Sequence, residues 1–366
     1  MRYRQVGKTS ISVSEIGFGC WTMGGPNWST SNGAPIGWGE VDESQIIAGV
    51  KVGIDAGVNH WDNADIYGNG RAERTLAHCL RTLGVRRDTQ VIATKVGHFK
   101  GTSLHAYDPQ HIRHQCEQSL RNLRTDYIDL YYFHHGTYIG PGYNAQGDID
   151  PQHDYLFEAA NTMHSLVKEG KVRAIGQSAY TVEDFTRAIP VLKPDVLQNK
   201  ANLRYDDFIR PGSPLQALLA THGCSFVGFG PLDQGILLDK FDPDRPPAFE
   251  EGDYRRSRKD FTPEVLRSVR TKLGSVAVRF DPEGKRDRTR TLAAAAQQWV
   301  LAHPHVCSVI PGFRNPAQAS CNVAAAADES MAAADVAWMR ELFKEPPASS
   351  SSPPTRPSPA HPSRPA

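Results

Sequence analysis

Residues 17–25 read GFGCWTMGG, and this stretch separates two ways of building a parallel sheet. It overlaps the end of a short apolar run, Glu15–Gly19, with strand character. A doubly wound open sheet normally carries a Gly-x-Gly-x-x-Gly phosphate turn after its first strand. Here the glycines stand at Gly17, Gly19, Gly24 and Gly25, and that spacing is missing. The stretch therefore favours a sheet closed on itself.

Seven further runs of apolar or β-branched residues follow: Val58–Trp61, Val91–Lys95, Tyr127–His134, Val172–Gln177, Val196–Asn199, Ser225–Phe229 and Val306–Ile310. Helix-period patterns lie between them at Glu43–Ala56, Ala72–Leu83, Pro109–Asn122, Asp154–Glu169, Val182–Ala188, Leu215–Thr221, Leu292–Ala302 and Pro316–Ala327. Eight such units in series predict an α/β fold, a (β/α)8 TIM barrel. Tyr3–Val13, with Gly7 and Lys8 at its centre, predicts an N-terminal β-hairpin across the barrel's bottom. Large loops are expected at the C-terminal face of the strands, from 98–108 and 136–152 and from the charged stretch 240–290. Loops at that face are where a barrel builds its pocket.

The expected organisation is one barrel domain over 1–345 and a disordered tail over 346–366. Those last 21 residues hold eight prolines and six serines, too little apolar surface to offset the entropy of ordering. With 41 Lys+Arg against 40 Asp+Glu the formal charge is +1, which makes nucleic acid an unexpected partner. No apolar run approaches a membrane span and the N-terminus has no signal core, so neither a membrane nor secretion is expected. The six cysteines form no CxxC pair. They read as reduced, buried side chains of a cytoplasmic protein.

Barrel chemistry sits at strand C-termini. The second strand runs into WDNADIYG, supplying Asp62 and Tyr67; the third ends on Lys95; the fourth ends on His134 and His135. A lysine finishing an apolar strand needs a carboxylate partner, and Asp62 on the next strand is placed to provide it. An ammonium beside a phenol is expected to lower the phenol's pKa and help it give a proton to a carbonyl oxygen. Aromatic walls are expected from Trp21, Trp28, Trp38, Phe99, Tyr107, Tyr138 and Tyr143. Singly, an Asp–Tyr pair is commonplace, a strand-end lysine is usually a surface residue and a histidine pair is often core. Their placement on successive strand ends is what points to a site.

These residues resemble the aldo-keto reductase superfamily, specifically its bacterial and plant aryl-alcohol dehydrogenase-like oxidoreductases. The likeness is carried, in order, by the opening residues to Gly25, by DAGVNHWDNADIYGNGRAE, VIATKVG, SLRNLRTDYIDLYYFHH, LVKEGKVRAIGQSAY, GFGPLDQGILLDKF and SVIPGFRNPAQASCN. It implies a metal-free, NADP(H)-dependent enzyme reducing an aldehyde or ketone reversibly. Tyr67 would be the general acid, assisted by Lys95 and Asp62. His134 would orient the carbonyl of a small-molecule substrate, with Trp21 also lining the pocket. Ser178 and Gln198 would hold the nicotinamide carboxamide and Phe229 would stack on its ring. Gly230, Pro231, Leu232, Gln234 and Lys240 would line the pyrophosphate. Gly312, Arg314, Gln318 and Asn322 would take the adenosine end.

The chain departs from that pattern at Ala179, where an asparagine is usual, at His60 and Asn63 around Asp62, and at Cys321, where an acid is common. Two other readings stand beside it. One is a non-catalytic NADPH-binding sensor that docks on a partner. The other is a metal-dependent barrel hydrolase or isomerase, which the single carboxylate and lysine at the strand ends suit poorly. The sequence carries no sign of oligomeric state.

Overall fold

A computed structural model describes residues 1–29, 32–144 and 146–344. The expected tail at 346–366 lies outside the described residues. Strand β1 (Tyr3–Gln5) pairs antiparallel with β2 (Ser12–Ser14), as the hairpin reading requires. Gly7 at its tip, with φ of 51°, donates its N–H to Ser225 Oγ at 2.7 Å.

The barrel strands are β3 (Phe18–Gly19), β4 (His60–Asp62), β5 (Val91–Val96) and β6 (Ile128–Phe133), then, beyond an inserted hairpin of β7 (Ile139–Tyr143) and β8 (Ile149–Asp154), β9 (Val172–Ser178), β10 (Val196–Lys200), β11 (Ser225–Phe229) and β12 (Val306–Ile310). They lie side by side in chain order as one eight-stranded sheet, with parallel neighbours throughout. Parallel bridges from Ile16 to Val309 and from Gly19 to Gly312 bring the first strand to the last. Because Ser225 opens β11, the N-terminal hairpin covers the end of the barrel opposite the strand C-termini.

Every residue of β5 and β6 is buried, the pattern of parallel strands covered on both faces. Val91, Ala93, Leu130, Tyr132, Ala174, Val196, Val227 and Cys307 fill the inside, with Val6, Ile11 and Val13 of the hairpin plugging the bottom. A larger core, including Trp61, Tyr131 and Phe133, packs under the helices. These are α1 (Glu43–Asp55), α2 (Arg71–Thr82), α3 (Pro109–Leu123), α4 (Leu156–Lys168), α5 (Val182–Leu192), α6 (Pro214–His222), α7 (Pro263–Phe280), α8 (Arg288–Leu301), α9 (Pro316–Val323) and α10 (Ala333–Phe343). Side-chain caps begin many of them: Asp42 for α1, Asp108 for α3, Ser213 for α6 and Asn315 for α9, the last three followed by proline. All six cysteines are free and five are buried. No helix among the described residues is long and apolar enough to cross a membrane.

Three elements go beyond the sequence reading. The β7–β8 hairpin occupies the 136–152 loop and runs through Asp154, so α4 starts at Leu156 rather than Asp154. Helix α7 crosses the charged 240–290 stretch, burying Leu266, Val269, Leu273 and Val276. Helix α10 follows the last barrel unit and buries only Met339 and Phe343.

Candidate active site

The end of β4, the loop after it and the end of β5 converge at the C-terminal mouth. Lys95 is fully buried, and each of its three ammonium protons has an acceptor. Nζ lies 2.6 Å from Asp62 Oδ2, 2.7 Å from the Asn63 carbonyl and 3.3 Å from Tyr67 Oη. The other Asp62 oxygen accepts from Gln198 Nε2 at 2.7 Å. The carboxylate thus accepts one donor on each oxygen and fixes the ammonium under the phenol.

Tyr67 sits on the turn between β4 and α2, and that turn is pressed against the 20–25 segment backbone to backbone. A Cβ on Gly68, whose φ is +58°, would come 2.3 Å from the Gly24 carbonyl oxygen, and one on Gly24 would come 2.8 Å from the Gly68 nitrogen. That approach lets Trp21 stack on Tyr67 with ring centroids 5.9 Å apart at 25°. On the other side His134 meets Tyr67 edge-on at 5.9 Å. The His134 Nδ1 is enclosed without a partner, leaving Nε2 as the nitrogen open to the mouth. Burial first, then the neighbouring His98, Lys95 and His135 charges, keep this imidazole well below its ordinary pKa, so it is neutral at pH 7.

The expected lowering of the Tyr67 pKa is not what the structure gives. Burial, and after it the Asp62 carboxylate, push the phenol well above its usual value. The physical reason is that Asp62 already neutralises much of the Lys95 charge, while desolvation of the hydroxyl penalises a phenolate. Tyr67 is therefore a stored proton, with the ammonium within reach of the oxygen once that proton leaves.

The walls differ in part from those expected. Trp21 packs against Trp38 at 5.5 Å and against Tyr254 at 5.3 Å. Tyr107 and Tyr138 are fully buried rather than open to the mouth; Tyr143 and Trp28 are exposed. Tyr254, which sequence reasoning missed, arrives from the charged insertion, where Tyr254 N donates to the Gly37 carbonyl at 2.9 Å. Arg255 lies over the Trp38 and Phe249 rings and is paired with Asp253 at 2.6 Å. Asp233 and Asp260 tie the insertion to the barrel through Lys200, Arg204 and Arg258. Arg and Asp clustering in 240–290 was the only sequence signal for this network.

The residues assigned to a cofactor fall along one side of the mouth. Ser178 ends β9 next to Gln198 in register, but the Gln198 amide nitrogen is engaged by Asp62. Ala179 leaves its carbonyl to Asn199. Phe229 ends β11 and is followed by Gly230 with φ of 61°, then buried Pro231 and Leu232 and half-buried Gln234. Lys240 and Arg314 have no ion-pair partner among the described residues, and burial followed by the Arg255 and Arg314 charges lowers the Lys240 pKa. Gln318 Oε1 accepts from the Arg314 N–H at 2.9 Å. Asn322 Nδ2 donates to the Gly312 carbonyl at 3.0 Å. Two unpaired cations beside side-chain-free glycines form a site suited to an anionic dinucleotide.

Behind the Tyr67 turn, a separate cavity of about 710 Å³ opens between α2 and α3. Asp65 reaches it with Oδ2 bonded to Gln115 at 3.0 Å and Oδ1 enclosed without a partner. Burial and the nearby Glu73 charge push its pKa up to about 7. A carboxyl that holds its proton more tightly folded than unfolded loses stability for the fold as pH rises from ~4 to ~7. Asp65→Asn is expected to change little below pH ~4 and to stabilise by roughly 1–4 kcal/mol above pH ~7. Denaturant unfolding of both proteins at acid and alkaline pH measures this. An equal difference at both values would show that ionisation of Asp65 is not the cause.

Fold and site together define a (β/α)8 barrel with a Tyr, Lys, Asp and His set at its mouth. The Aldo/keto reductase family model matches residues 15–342, and the chain belongs to that family of carbonyl oxidoreductases that use nicotinamide cofactors. A probable voltage-gated potassium channel subunit beta of Arabidopsis thaliana is 26% identical, covering 89% of this chain and 91% of the relative. The NADH-specific methylglyoxal reductase of Escherichia coli (strain K12) is 26% identical, covering 93% and 98%. Among solved structures, the glycerol dehydrogenase AKR11B4 of Gluconobacter oxydans superposes with a TM-score of 0.71 over 93% of this chain and 94% of its own, at 21% identity. Among the described residues no three His, Cys, Asp or Glu side chains group as metal ligands.

Proposed function

We propose that this chain reduces an aldehyde or ketone to the alcohol, reversibly, with NADPH as the reductant and Tyr67 as the general acid. The observation that carries the proposal is the buried Lys95 ammonium, held by Asp62 and reaching the Tyr67 hydroxyl at 3.3 Å. The bound nicotinamide would supply the hydride. Tyr67 Oη and the open His134 nitrogen would share the substrate's carbonyl oxygen. Tyr67 would pass its proton to that oxygen, and the Lys95 charge would stabilise the phenolate left behind. Trp21 and Tyr254 would exclude water from the reacting carbon.

Lys240 and Arg314 support a phosphorylated cofactor. Arg314→Ala is expected to weaken NADPH far more than NADH, by a few kcal/mol at most for one charge-assisted contact. Fluorescence titration with both cofactors measures it, and equal weakening of the two would remove the assignment.

The second reading, a nucleotide-binding sensor docked on a partner, draws on the likeness to the channel subunit. Turnover separates the two. The protein, dialysed against EDTA, is expected to oxidise NADPH when given a reactive aromatic aldehyde, because the proposed acid and hydride leave no part for a Lewis acid. Activity that disappears and returns with a divalent ion would favour the hydrolase or isomerase class; binding without turnover would favour the sensor.

A further inference from the structure

The cavity behind the Tyr67 turn takes no part in the reductase site, and its polar groups are unused. Two carboxylates line it, Asp65 from the turn and Glu73 from α2, and both are buried. Glu73 accepts from Thr94 Oγ1 at 2.6 Å and from Asn122 Nδ2 at 2.8 Å. Asp65 accepts the Gln115 amide on one oxygen. These donors are neutral, and neither acid has an ion-pair partner among the described residues. The other ionisable side chains lining the cavity are Arg74, His111 and His114. The Arg74 guanidinium is turned to Asn122 Oδ1 at 3.4 Å, and His111 Nε2 bonds the Phe99 carbonyl at 2.8 Å. His114 is exposed. Two buried acids held only by neutral donors leave a charge that the fold does not balance.

Ser119 on α3 adds an independent sign. A helical serine or threonine commonly turns its hydroxyl back to the carbonyl four residues earlier, as Thr162 does to Glu158 and Ser165 to Asn161. Ser119 is 1% exposed and lines the same cavity, yet its Oγ has no hydrogen-bond partner, nor has Asp65 Oδ1. An acceptor from the Tyr67 turn and a hydroxyl from α3 are thus left over on two walls of one space.

A fitting ligand brings positive charge and several donors, and exceeds a bare ion in size. At about 710 Å³ the space is many times the ~30 Å³ of a water molecule. No three His, Cys, Asp or Glu side chains among the described residues group as metal ligands. A primary ammonium carries one charge and three N–H donors on one atom, and the Phe99 ring, also in the lining, offers an apolar wall for its carbon chain.

We infer that the cavity between α2 and α3 is a second binding site, which takes the primary ammonium of a small organic amine at Asp65, Glu73 and Ser119. It lies apart from the mouth and stands whether or not the reductase reading does.

The test titrates the full chain with propylammonium by calorimetry, beside 1-propanol, which lacks the charge, and tetramethylammonium, which lacks the N–H donors. At pH 8 Asp65, raised to about 7 by burial, is largely ionised, and an alkyl ammonium keeps its charge to about pH 10. Propylammonium is expected to saturate one site with a Kd of about 1–10 mM, within reach of so small a ligand, and both controls to bind about tenfold more weakly or worse. Asp65→Asn, which keeps the shape and removes the charge, should weaken propylammonium by about 10- to 100-fold, and Ser119→Ala by about 3- to 10-fold. No saturation up to about 100 mM overturns the inference. So does equal binding by wild type and both variants, which would put the amine elsewhere, or equal binding of 1-propanol, which would make the cavity a site for neutral solutes. Should Asp65→Asn fail to fold, Ser119→Ala and the two control ligands decide the matter.

Discussion

Tyr67→Phe is expected to lower the rate of carbonyl reduction by roughly 100-fold or more, the scale of a positioned acid, while NADPH binding persists. The substitution removes one oxygen and leaves the ring, so the 5.9 Å stack with Trp21 and the edge contact with His134 stay in place. What goes is the proton that burial keeps on the phenol at neutral pH. Single-turnover NADPH oxidation isolates the step from product release, and cofactor affinity measured alongside checks the fold. Near-native hydride transfer in this variant would mean the proton comes from another group, His134 being next in line.

Lys95→Met should remove most activity and, unlike the tyrosine change, should also destabilise the fold. Asp62 is 2% exposed, and without the ammonium its carboxylate keeps only the Gln198 amide. Stripping one partner from a buried ion pair typically costs about 3–5 kcal/mol. The Asn63 carbonyl loses its donor as well. Adding Asp62→Asn to Lys95→Met should return much of the stability and none of the turnover. In the Tyr67→Phe, Lys95→Met double variant the losses in turnover should fall far short of additive, since both groups serve one proton transfer. Denaturant unfolding and single-turnover rates on wild type and the four variants measure both claims. Additive kinetic losses would show that Lys95 acts independently of Tyr67.

Much of the barrel could be read from local pattern. Ser225–Phe229 and Val306–Ile310 were delimited correctly, because short apolar runs bounded by glycine, proline and polar residues mark buried parallel strands. Asp62 and Lys95 were legible for a related reason: a charge closing a run such as Val91-Ile92-Ala93-Thr94 must find its partner on the next strand. Helix α7 was hidden by its charges, although Thr262 and Pro263 announce its start and Leu266, Val269, Leu273 and Val276 recur at helical spacing. Tyr254 could not be placed at all. Its contact with Trp21 joins two loops far apart in sequence, and no periodicity encodes such a meeting. The direction of the Tyr67 pKa shift is not legible in sequence, because proximity to Lys95 is a pairwise fact, whereas burial and the opposing Asp62 charge depend on the whole site. The bond from Gln198 to Asp62 is likewise a long-range meeting that no local pattern encodes.

The pH dependence of single-turnover carbonyl reduction by the NADPH-loaded protein tests the proton's origin most directly. If the buried Tyr67 hydroxyl is the donor, it stays protonated through neutrality and the rate should be flat from about pH 6 to about pH 8, falling only on the alkaline side. Tyr67→Phe should lack that alkaline limb. A wild-type rate that instead falls as pH rises through about 5 to 7, with the same profile in Tyr67→Phe, would identify a protonated histidine as the acid and contradict the account.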